Sequence, residues 1–275
     1  MQVSSKGRMI RVSVMSVWAL IVILPFLMVL TISFKTESDF AKTNFLPSTN
    51  VSLDNYLKVW KDAEIPRVTG SSLFITSGSI IAQIIGSSLV AYALAKMGFK
   101  RSKLFSALFM IPLVFSIQTV IYPIFMLYKV TGLLNTYAGL ILIYTATGLA
   151  TSIFIFTKFF NSISYEISEA AMIDGAGHFR IYLEIIMPMA KAQISTVAII
   201  NGLGIWNDFF LPLMLFTNGK ISTLPLSMYQ FTSEYGMKWT LVSADIVFML
   251  MPMLIIYILL QRYIIEGVSA GAVKG

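Results

Sequence analysis

Residues 169–188 read Glu-Ala-Ala-Met-Ile-Asp-Gly, then nine residues, then Ile-Ile-Met-Pro. This stretch is a polar island in a chain of 275 residues that is 57% hydrophobic and only 12% charged. The mean hydropathy of the chain is +0.80. Because a soluble domain carries about a quarter charged residues, the composition predicts a membrane protein with one conspicuous polar segment.

The apolar segments on either side of this island predict the architecture. A helix needs about 20 apolar residues to cross the hydrocarbon layer of a bilayer. Six segments meet this requirement and predict an all-α membrane protein with six transmembrane helices, at about 10–34, 71–95, 104–128, 136–158, 190–216 and 240–262. The first segment is longer than the ~7–15 residues of a signal-peptide core, so we expect it to be retained as a helix.

The positions of the basic residues predict the orientation. Lysine and arginine concentrate in short loops on the cytoplasmic side of a membrane. They cluster in the short loop at 96–103 and before the first segment, at Lys96, Lys100, Arg101 and Lys103 and at Lys6, Arg8 and Arg11. With an even number of spans, both termini and the polar island are expected in the cytoplasm.

Local signals within the island predict a helix–turn–helix. Ser164 can cap a helix from about 165 to 174. Gly175 suits the left-handed conformation just past a helix end. A second helix from about 179 to 186 is expected to end before Pro188, since the residue before a proline disfavours helical backbone.

The surface of the first helix points to a protein partner. Ala170 and Ala171 are expected to present a flat surface, with the charge of Glu169 at its edge. Acidic residues outnumber basic ones here, and complementary charge orients the docking of a basic protein groove. The alternative is an amphipathic helix lying on lipid headgroups, but such helices carry lysine and arginine on their polar face.

Three stretches resemble the membrane (permease) subunits of ATP-binding-cassette (ABC) importers, most closely the second permease of the carbohydrate-uptake, maltose-type branch. The island is similar to that family's E-A-A-x₃-G-x₉-I-x-L-P loop, with Met187 in place of the leucine. Residues 206–212, Trp-Asn-Asp-Phe-Phe-Leu-Pro, are similar to the W-N-D-F-x-x-P stretch, and residues 266–275 are similar to the G-L-T-A-G-A-V-K-G ending. The loop is typical of binding-protein-dependent importers in general, whereas the other two stretches narrow the resemblance toward sugars.

The resemblance implies the fold and the partners. The fold is that of type I ABC importer permeases, with an N-terminal helix and outer loop at 1–70, a transmembrane core at 71–265 and a cytoplasmic tail at 266–275. Within the core, residues 162–188 form the coupling loop. The partners are a second homologous permease, two ATPase subunits and an extracytoplasmic solute-binding protein, in a multi-pass assembly in the cell membrane.

The resemblance also assigns the docking contact. The residues expected to touch an ATPase subunit are Glu169, Ala170, Ala171, Asp174 and Gly175. The chain has no G-x₄-G-K-[ST] phosphate loop. We therefore expect no enzymatic activity and no cofactor of its own, with ATP and Mg on the partner subunits.

Polar side chains within the apolar segments are candidates for a substrate path, because polar groups inside a membrane are costly. Six residues are singled out: Gln118, Tyr122, Asn201, Asn207, Asp208 and Asp245. Neutral amides suit a hydroxyl-rich solute such as a sugar or oligosaccharide. For the two aspartates, the alternatives are a structural hydrogen bond within the helix bundle or a position near the outer interface of the membrane.

Other classes of function meet obstacles in the composition. The absence of cysteine excludes thiolate metal sites and cysteine nucleophiles, and the single histidine, His178, excludes a His-rich metal site and a His-Glu-x-x-His protease. A self-contained secondary transporter needs buried acidic residues, and only Asp245 comes near that requirement. An ABC permease for a non-sugar solute stays open as an alternative.

Overall fold

A computed structural model describes residues 5–46, 51–98, 101–233 and 236–272 of the chain. Lys100 of the basic loop and residues 273–275 of the predicted tail lie outside the described residues. The first half of the chain forms α1 Ser5–Ser33, α2 Glu37–Thr43, α3 Asp54–Asp62, α4 Ile65–Lys96, α5 Ser102–Met110, α6 Ile117–Thr131 and α7 Tyr137–Ser162. The second half forms α8 Tyr165–Ile173, α9 His178–Ile181, α10 Met187–Met189, α11 Lys191–Asn207, α12 Phe210–Leu215, α13 Leu224–Ser227 and α14 Trp239–Ala272.

Shorter elements connect some of these helices. There are 3₁₀ turns at Ile111–Leu113 and Met228–Phe231 and a π-helical turn at Tyr182–Ile186. Strands β1 (Thr232–Ser233) and β2 (Gly236–Met237) pair antiparallel, with Thr232 opposite Met237. The described residues are otherwise helix and connecting loop, so the helical fold class predicted from hydropathy is confirmed.

Three continuous helical stretches among the described residues are long and apolar enough to span a membrane: 11–33, 65–96 and 137–162. Two further pairs qualify only if each bent pair counts as one span, which brings the number to five. The sixth predicted segment is present as the helix α14. The number of six membrane crossings therefore stays a prediction.

The first bent pair lies within the predicted segment 104–128, and the second lies where the coupling loop meets the predicted segment 190–216. Helical residues 104–113 meet residues 117–131 at 94°, and residues 178–189 meet residues 191–207 at 73°. At the first bend Ser116 has extended backbone (φ −74°, ψ 134°), so helical hydrogen bonding stops and starts again. Hydropathy predicts that a segment is apolar, but it carries no information on where the backbone changes direction.

Two more boundaries differ from the prediction. The segment 190–216 is divided into α11 and α12, because Asp208 takes extended backbone (φ −74°, ψ 122°) between them. The stretch 35–70, predicted as a loop, contains α2, α3 and residues 65–70 of α4. Amphipathic helices this short have no apolar run long enough to be recognised from hydropathy.

The chain divides into two compact units, and the first comprises residues 1–68 and 227–255. The ammonium group of Lys35, which is 1% exposed, donates to Thr43 Oγ1 and to the Asn44 carbonyl, both at 2.8 Å, and to the carbonyl of Leu46. A cation suits this position because the carbonyls at a helix C-terminus carry partial negative charge. The buried lysine thus holds the end of α2 in place.

The second unit comprises residues 69–226 and 256–275 and holds the coupling loop. Within it α4 packs closely against α7, since a Cβ built on Gly78 would lie 3.0 Å from Ile141 Cδ1 and one on Gly86 would lie 3.4 Å from Leu149 Cδ2. Small residues at such spacing let helix backbones approach closely in a membrane. Gly78 and Gly86 therefore serve the packing of α4 against α7.

A hydrophobic cluster joins the coupling loop to the helices of the second unit. It contains Tyr92 of α4, Phe156 and Phe160 of α7, and Ile181 and Ile186 of the loop, all buried. A second cluster, around Ile75, Leu140, Tyr144, Ile205 and Leu215, packs α4, α7, α11 and α12 together. The loop is thus anchored in the core of its own subunit and not merely laid against a surface.

Candidate functional site: the coupling loop and a polar cavity

The coupling loop begins with the short helix α8, which is capped at both ends. Ser164 accepts a hydrogen bond from the backbone N–H of Glu166 at 3.3 Å. At the other end the N–H groups of Gly175 and Ala176 donate to the carbonyls of Met172 (3.0 Å) and Ala171 (2.9 Å). This pair of bonds is the Schellman motif, which places a left-handed residue just past the helix end. Gly175 has φ +82°, as the sequence predicts.

The predicted docking residues do not all face the same way. Glu169, Ala170, Asp174 and Gly175 are exposed. Ala171 is buried against the hydrophobic cluster that joins the loop to its own subunit. The expectation that both alanines present a surface is therefore corrected: only Ala170 does. The sequence pattern cannot distinguish neighbouring alanines that point in different directions.

Two large apolar side chains lie beside these exposed residues. Ile173 is 86% exposed and Phe179 is 70% exposed. Both side chains are therefore accessible to a partner at this part of the loop. Neither residue was predicted as a docking residue from the sequence, although both lie within the polar island at 169–188.

The second helical stretch of the loop continues further than predicted. It passes through the π-helical turn at Tyr182–Ile186 and through Pro188, and it ends at Ala190, where φ is −88° and ψ is 14°. In a regular α-helix the proline ring clashes with the carbonyl four residues earlier. The π turn changes that register, which allows the helix to continue past Pro188.

A cavity of about 360 Å³ lies deeper in the second unit, between α4, α6, α7, α11 and α12. Four of the six residues predicted for a substrate path line it: Gln118, Asn201, Asn207 and Asp208. Gln83, Thr147 and Thr151 add further polar groups. The tertiary structure thus brings together side chains that lie far apart in the sequence.

The remaining two predicted residues lie elsewhere. Tyr122 is 69% exposed on α6 and is not among the residues that line the cavity. Asp245 belongs to the first unit, where it is 1% exposed and accepts a hydrogen bond from Ser227 Oγ at 2.9 Å. Of the interpretations considered for Asp245, the structure therefore supports the structural hydrogen bond.

One wall of the cavity is braced by the amide of Gln83. Its Nε2 donates to the Tyr144 carbonyl at 2.6 Å, and its Oε1 accepts from Asn201 Nδ2 at 2.8 Å. Asn201 Nδ2 also lies 2.9 Å from Ser152 Oγ. These bonds connect α4, α7 and α11 through buried polar groups, which are well satisfied and therefore hold the three helices in one arrangement.

The opposite end of the cavity is organised by Asp208. Its carboxylate accepts from the backbone N–H groups of Phe210 (2.8 Å) and Leu211 (3.4 Å) and from the hydroxyl of Tyr144 (2.8 Å). Asp208 therefore caps the start of α12 and ties it to α7. It has two of the roles that the sequence left open, as a cavity-lining residue and as a structural hydrogen-bond acceptor.

Sequence reasoning missed three residues of this region on α7: Tyr144, Gly148 and Ser152. They recur every fourth residue and so share one face of the helix. A Cβ at Gly148 would overlap the side-chain amide of Gln83, so only glycine leaves room for that amide. The recurrence of small residues at every fourth position is the sequence signal that could have identified Gly148 and Ser152.

We expect Asp208→Ala to lower the stability of the second unit substantially. The change leaves the buried hydroxyl of Tyr144 without its acceptor, at about 1–3 kcal/mol, and removes a helix cap worth about 1 kcal/mol. The measurement is the midpoint of thermal unfolding in detergent. Asn207→Ala is the matched control, because the Asn207 amide is exposed and donates only to Leu203 of its own helix. Equal midpoints for the two variants would contradict the capping role.

Comparison with known proteins places the chain among transport proteins. Residues 83–269 match the family described as binding-protein-dependent transport system inner membrane component. The chain is 34% identical over 259 residues to the diacetylchitobiose uptake system permease protein NgcG of Streptomyces coelicolor, covering 94% of this chain and 86% of that protein. It is 33% identical over 253 residues to the melibiose/raffinose/stachyose import permease protein MelC of Bacillus subtilis, covering 92% and 91%.

The fold also matches a solved structure. The chain superposes with a TM-score of 0.82 on a chain from the crystal structure of a bacterial ABC transporter involved in the import of the acidic polysaccharide alginate. The match covers 96% of this chain and 99% of that one, at 21% sequence identity. The fold of this chain is thus similar to that of the matched chain of this transporter.

Proposed function

The chain belongs to the family of binding-protein-dependent transport system inner membrane components, and from that premise we propose that it is the permease subunit of an ATP-driven importer for a sugar or oligosaccharide. The observation that carries the substrate class is similarity over nearly the whole chain to permeases named for diacetylchitobiose and for melibiose, raffinose and stachyose. The structural match, at 21% identity, supports the fold and not the substrate.

In this proposal the coupling loop receives an ATPase subunit. The exposed carboxylate of Glu169 would pair with a basic group of the ATPase subunit, and the small side chain of Ala170 would allow close approach. Ile173 and Phe179 would supply apolar area for the ATPase subunit to cover. Gly175 sets the angle at which the two parts of the loop meet, and Asp174 adds to the acidic character that would suit a basic groove. ATP and Mg would be held by the partner, so the chain itself acts as a transport subunit and not as an enzyme.

The polar cavity is the proposed solute path. Its lining combines the amides of Gln118, Asn201 and Asn207 with the hydroxyls of Thr147 and Thr151. Amides and hydroxyls both donate and accept hydrogen bonds, which suits a solute rich in hydroxyl groups. Alternating exposure of this cavity to the two sides of the membrane would carry the solute across as the helices change arrangement.

The proposed assembly contains this chain, a second homologous permease, two ATPase subunits and an extracytoplasmic solute-binding protein. Both termini and the coupling loop would face the cytoplasm, where ATP is available. Affinity purification of the tagged chain from its native membrane, followed by mass spectrometry, tests this composition. Recovery of the chain alone would favour a self-contained carrier.

The charge of Glu169 offers a direct test of docking. We expect Glu169→Lys to reduce the ATPase subunit recovered with the tagged permease by about five- to tenfold, because the reversed charge is repelled by a basic groove, and a loss of about 1–1.4 kcal/mol corresponds to that factor. Glu169→Gln is the matched control, since it removes the charge and keeps the shape; its recovery should lie between those of the wild type and Glu169→Lys. Undiminished recovery with the charge reversed would refute the assignment.

The substrate class is tested by transport. Deletion of this subunit should abolish uptake of an oligosaccharide and leave uptake of amino acids and phosphate unchanged. Re-expression of the wild-type chain should restore uptake of the oligosaccharide. Loss of amino-acid or phosphate uptake instead would favour the alternative of a permease for a non-sugar solute.

A further inference from the structure

The helix α4 carries a line of three polar side chains that all touch the coupling loop. Ser88, Tyr92 and Lys96 recur every fourth residue, so they lie on one face of the helix. All three are at most 4% exposed. We call them the α4 stripe.

The first contact of the α4 stripe joins two hydroxyl groups. Ser88 Oγ lies 2.8 Å from the hydroxyl of Tyr182, which belongs to the π-helical turn of the coupling loop. Ser88 Oγ is also bonded to the carbonyl of Ile84 in its own helix. The bond to Tyr182 is therefore an addition to the usual bond that a helical serine makes to its own backbone.

The other two contacts continue along the same face. The hydroxyl of Tyr92 lies 3.3 Å from Nδ1 of His178, at the start of α9. The ammonium group of Lys96 donates to the carbonyl of Ile163 at 2.5 Å and lies 5.9 Å from the centre of the Tyr165 ring. The α4 stripe thus meets the coupling loop at its beginning, at the start of α9 and in the π-helical turn.

The same helix reaches the polar cavity. Gln83 precedes Ser88 by five residues, which is a rise of about 7.5 Å along the helix. Gln83 is hydrogen-bonded to the Tyr144 carbonyl and to Asn201, so α4 is tied to α7 and α11 at the cavity wall. The loop and the cavity are therefore connected through a helix that is not adjacent to the loop in sequence.

We propose that the α4 stripe transmits displacement of the coupling loop to α4 and hence to the cavity wall. Ser88 and Tyr182 are the central positioning residues of this contact. The coupling loop is covalently linked to α7 and α11, so its displacement moves these two helices directly. The α4 stripe supplies a second connection, through which the same displacement moves α4 and Gln83. This inference rests on the proposed function, because the displacement would come from a docked ATPase.

The contact at Ser88 has a matched control on the same helix. Ser77 also bonds to a carbonyl of its own helix, that of Leu73, at 2.7 Å, and its side chain is exposed. Ser88→Ala and Ser77→Ala therefore remove the same group from the same helix. They differ in that Ser88 alone of the two reaches Tyr182.

Because the chain has no cysteine, pairs of cysteines can be introduced and spin-labelled at chosen positions. Pulsed electron paramagnetic resonance then measures two distances between labels. Labels would be placed at the exposed residues Ile81 of α4, Leu183 of the coupling loop and Leu127 of α6. The sample is the complete complex, with cysteines of the partner subunits replaced, in the absence and presence of ATP and vanadate. The Leu183–Leu127 distance reports the coupling loop and the Ile81–Leu127 distance reports α4.

In the wild type and in Ser77→Ala, we expect nucleotide to change both distances. In Ser88→Ala and Tyr182→Phe the change in the Leu183–Leu127 distance should persist, and the change in the Ile81–Leu127 distance should fall to less than half. The double variant should resemble either single variant, because all of them remove the same bond. A defect in folding alone would not separate the two distances in this way.

The outcomes distinguish this inference from the proposed function. If α4 moves as much in Ser88→Ala and Tyr182→Phe as in the wild type, the α4 stripe does not transmit the displacement and the inference is wrong. If nucleotide changes neither distance in the wild type, the docking proposal fails and the inference fails with it. If Ser88→Ala and Tyr182→Phe lose only the change in the Ile81–Leu127 distance, the result supports both the docking proposal and this inference.

Discussion

Gly175→Val is expected to reduce recovery of the ATPase subunit with the tagged permease by more than about tenfold. Gly175 has φ +82°, a conformation in which a β-branched side chain is a genuine outlier. Holding valine there costs about 1–3 kcal/mol, and each 1.4 kcal/mol corresponds to about a factor of ten. The loop can avoid this cost only by opening the Schellman turn. The position of Phe179 relative to α8 would then change.

Gly177→Val is the matched control for this prediction. Gly177 lies two residues further on in the same loop, but its backbone is extended (φ −72°, ψ 162°), a region that valine favours. A Cβ at either glycine meets no neighbouring atom within 4 Å, so the two positions differ in backbone conformation and not in available space. Equal recovery of the ATPase with the two variants would show that the left-handed turn does not set the docking geometry.

Gly148→Ala is expected to destabilise the second unit substantially, and by much more than Gly204→Ala. The new methyl group would overlap the Gln83 amide, and overpacking of this kind costs about 1–3 kcal/mol. Displacement of Gln83 would also leave the Asn201 amide without one of its acceptors, at about another 1–3 kcal/mol. The measurement is again the midpoint of thermal unfolding of the purified protein in detergent.

Gly204→Ala is the control for this change. Gly204 also lies within a helix and lines the same cavity, but a Cβ there meets no atom within 4 Å. Both substitutions gain up to about 1 kcal/mol of helix propensity, so the difference between them isolates the overlap with Gln83. A Gly148→Ala protein as stable as Gly204→Ala would mean that Gln83 does not occupy its described position.

In the coupling loop, local sequence signals predicted some helix ends correctly and another one wrongly. Ser164 as a cap and Gly175 as a left-handed residue were both predicted from residue type and spacing, and the structure has both. The end of the second helix before Pro188 was predicted in the same way and is wrong, because a π turn changes the local register. A rule for a regular α-helix does not anticipate that change.

Only some of the residues that line the cavity were predicted from the sequence. Gln118, Asn201, Asn207 and Asp208 were selected because polar groups inside apolar segments are costly, and they do converge. Tyr122 and Asp245 met the same criterion and lie elsewhere. Polarity identifies residues that need a partner, but it does not tell which of them share one.

The amino-acid sequence by itself determined the helical membrane class, the position of the coupling loop and the left-handed turn at Gly175. Each of these depends on composition or on neighbours within a few residues, so it is decided by local free energies. Only the tertiary structure decided that Ala171 faces inward, that helical residues 104–113 meet residues 117–131 at 94°, and that α4 contacts the coupling loop. It also decided the cavity, whose hydrogen bonds join residues 61 and 118 positions apart. Such contacts depend on how whole helices pack, and that packing is settled by side-chain shape across the interface and not by any one segment.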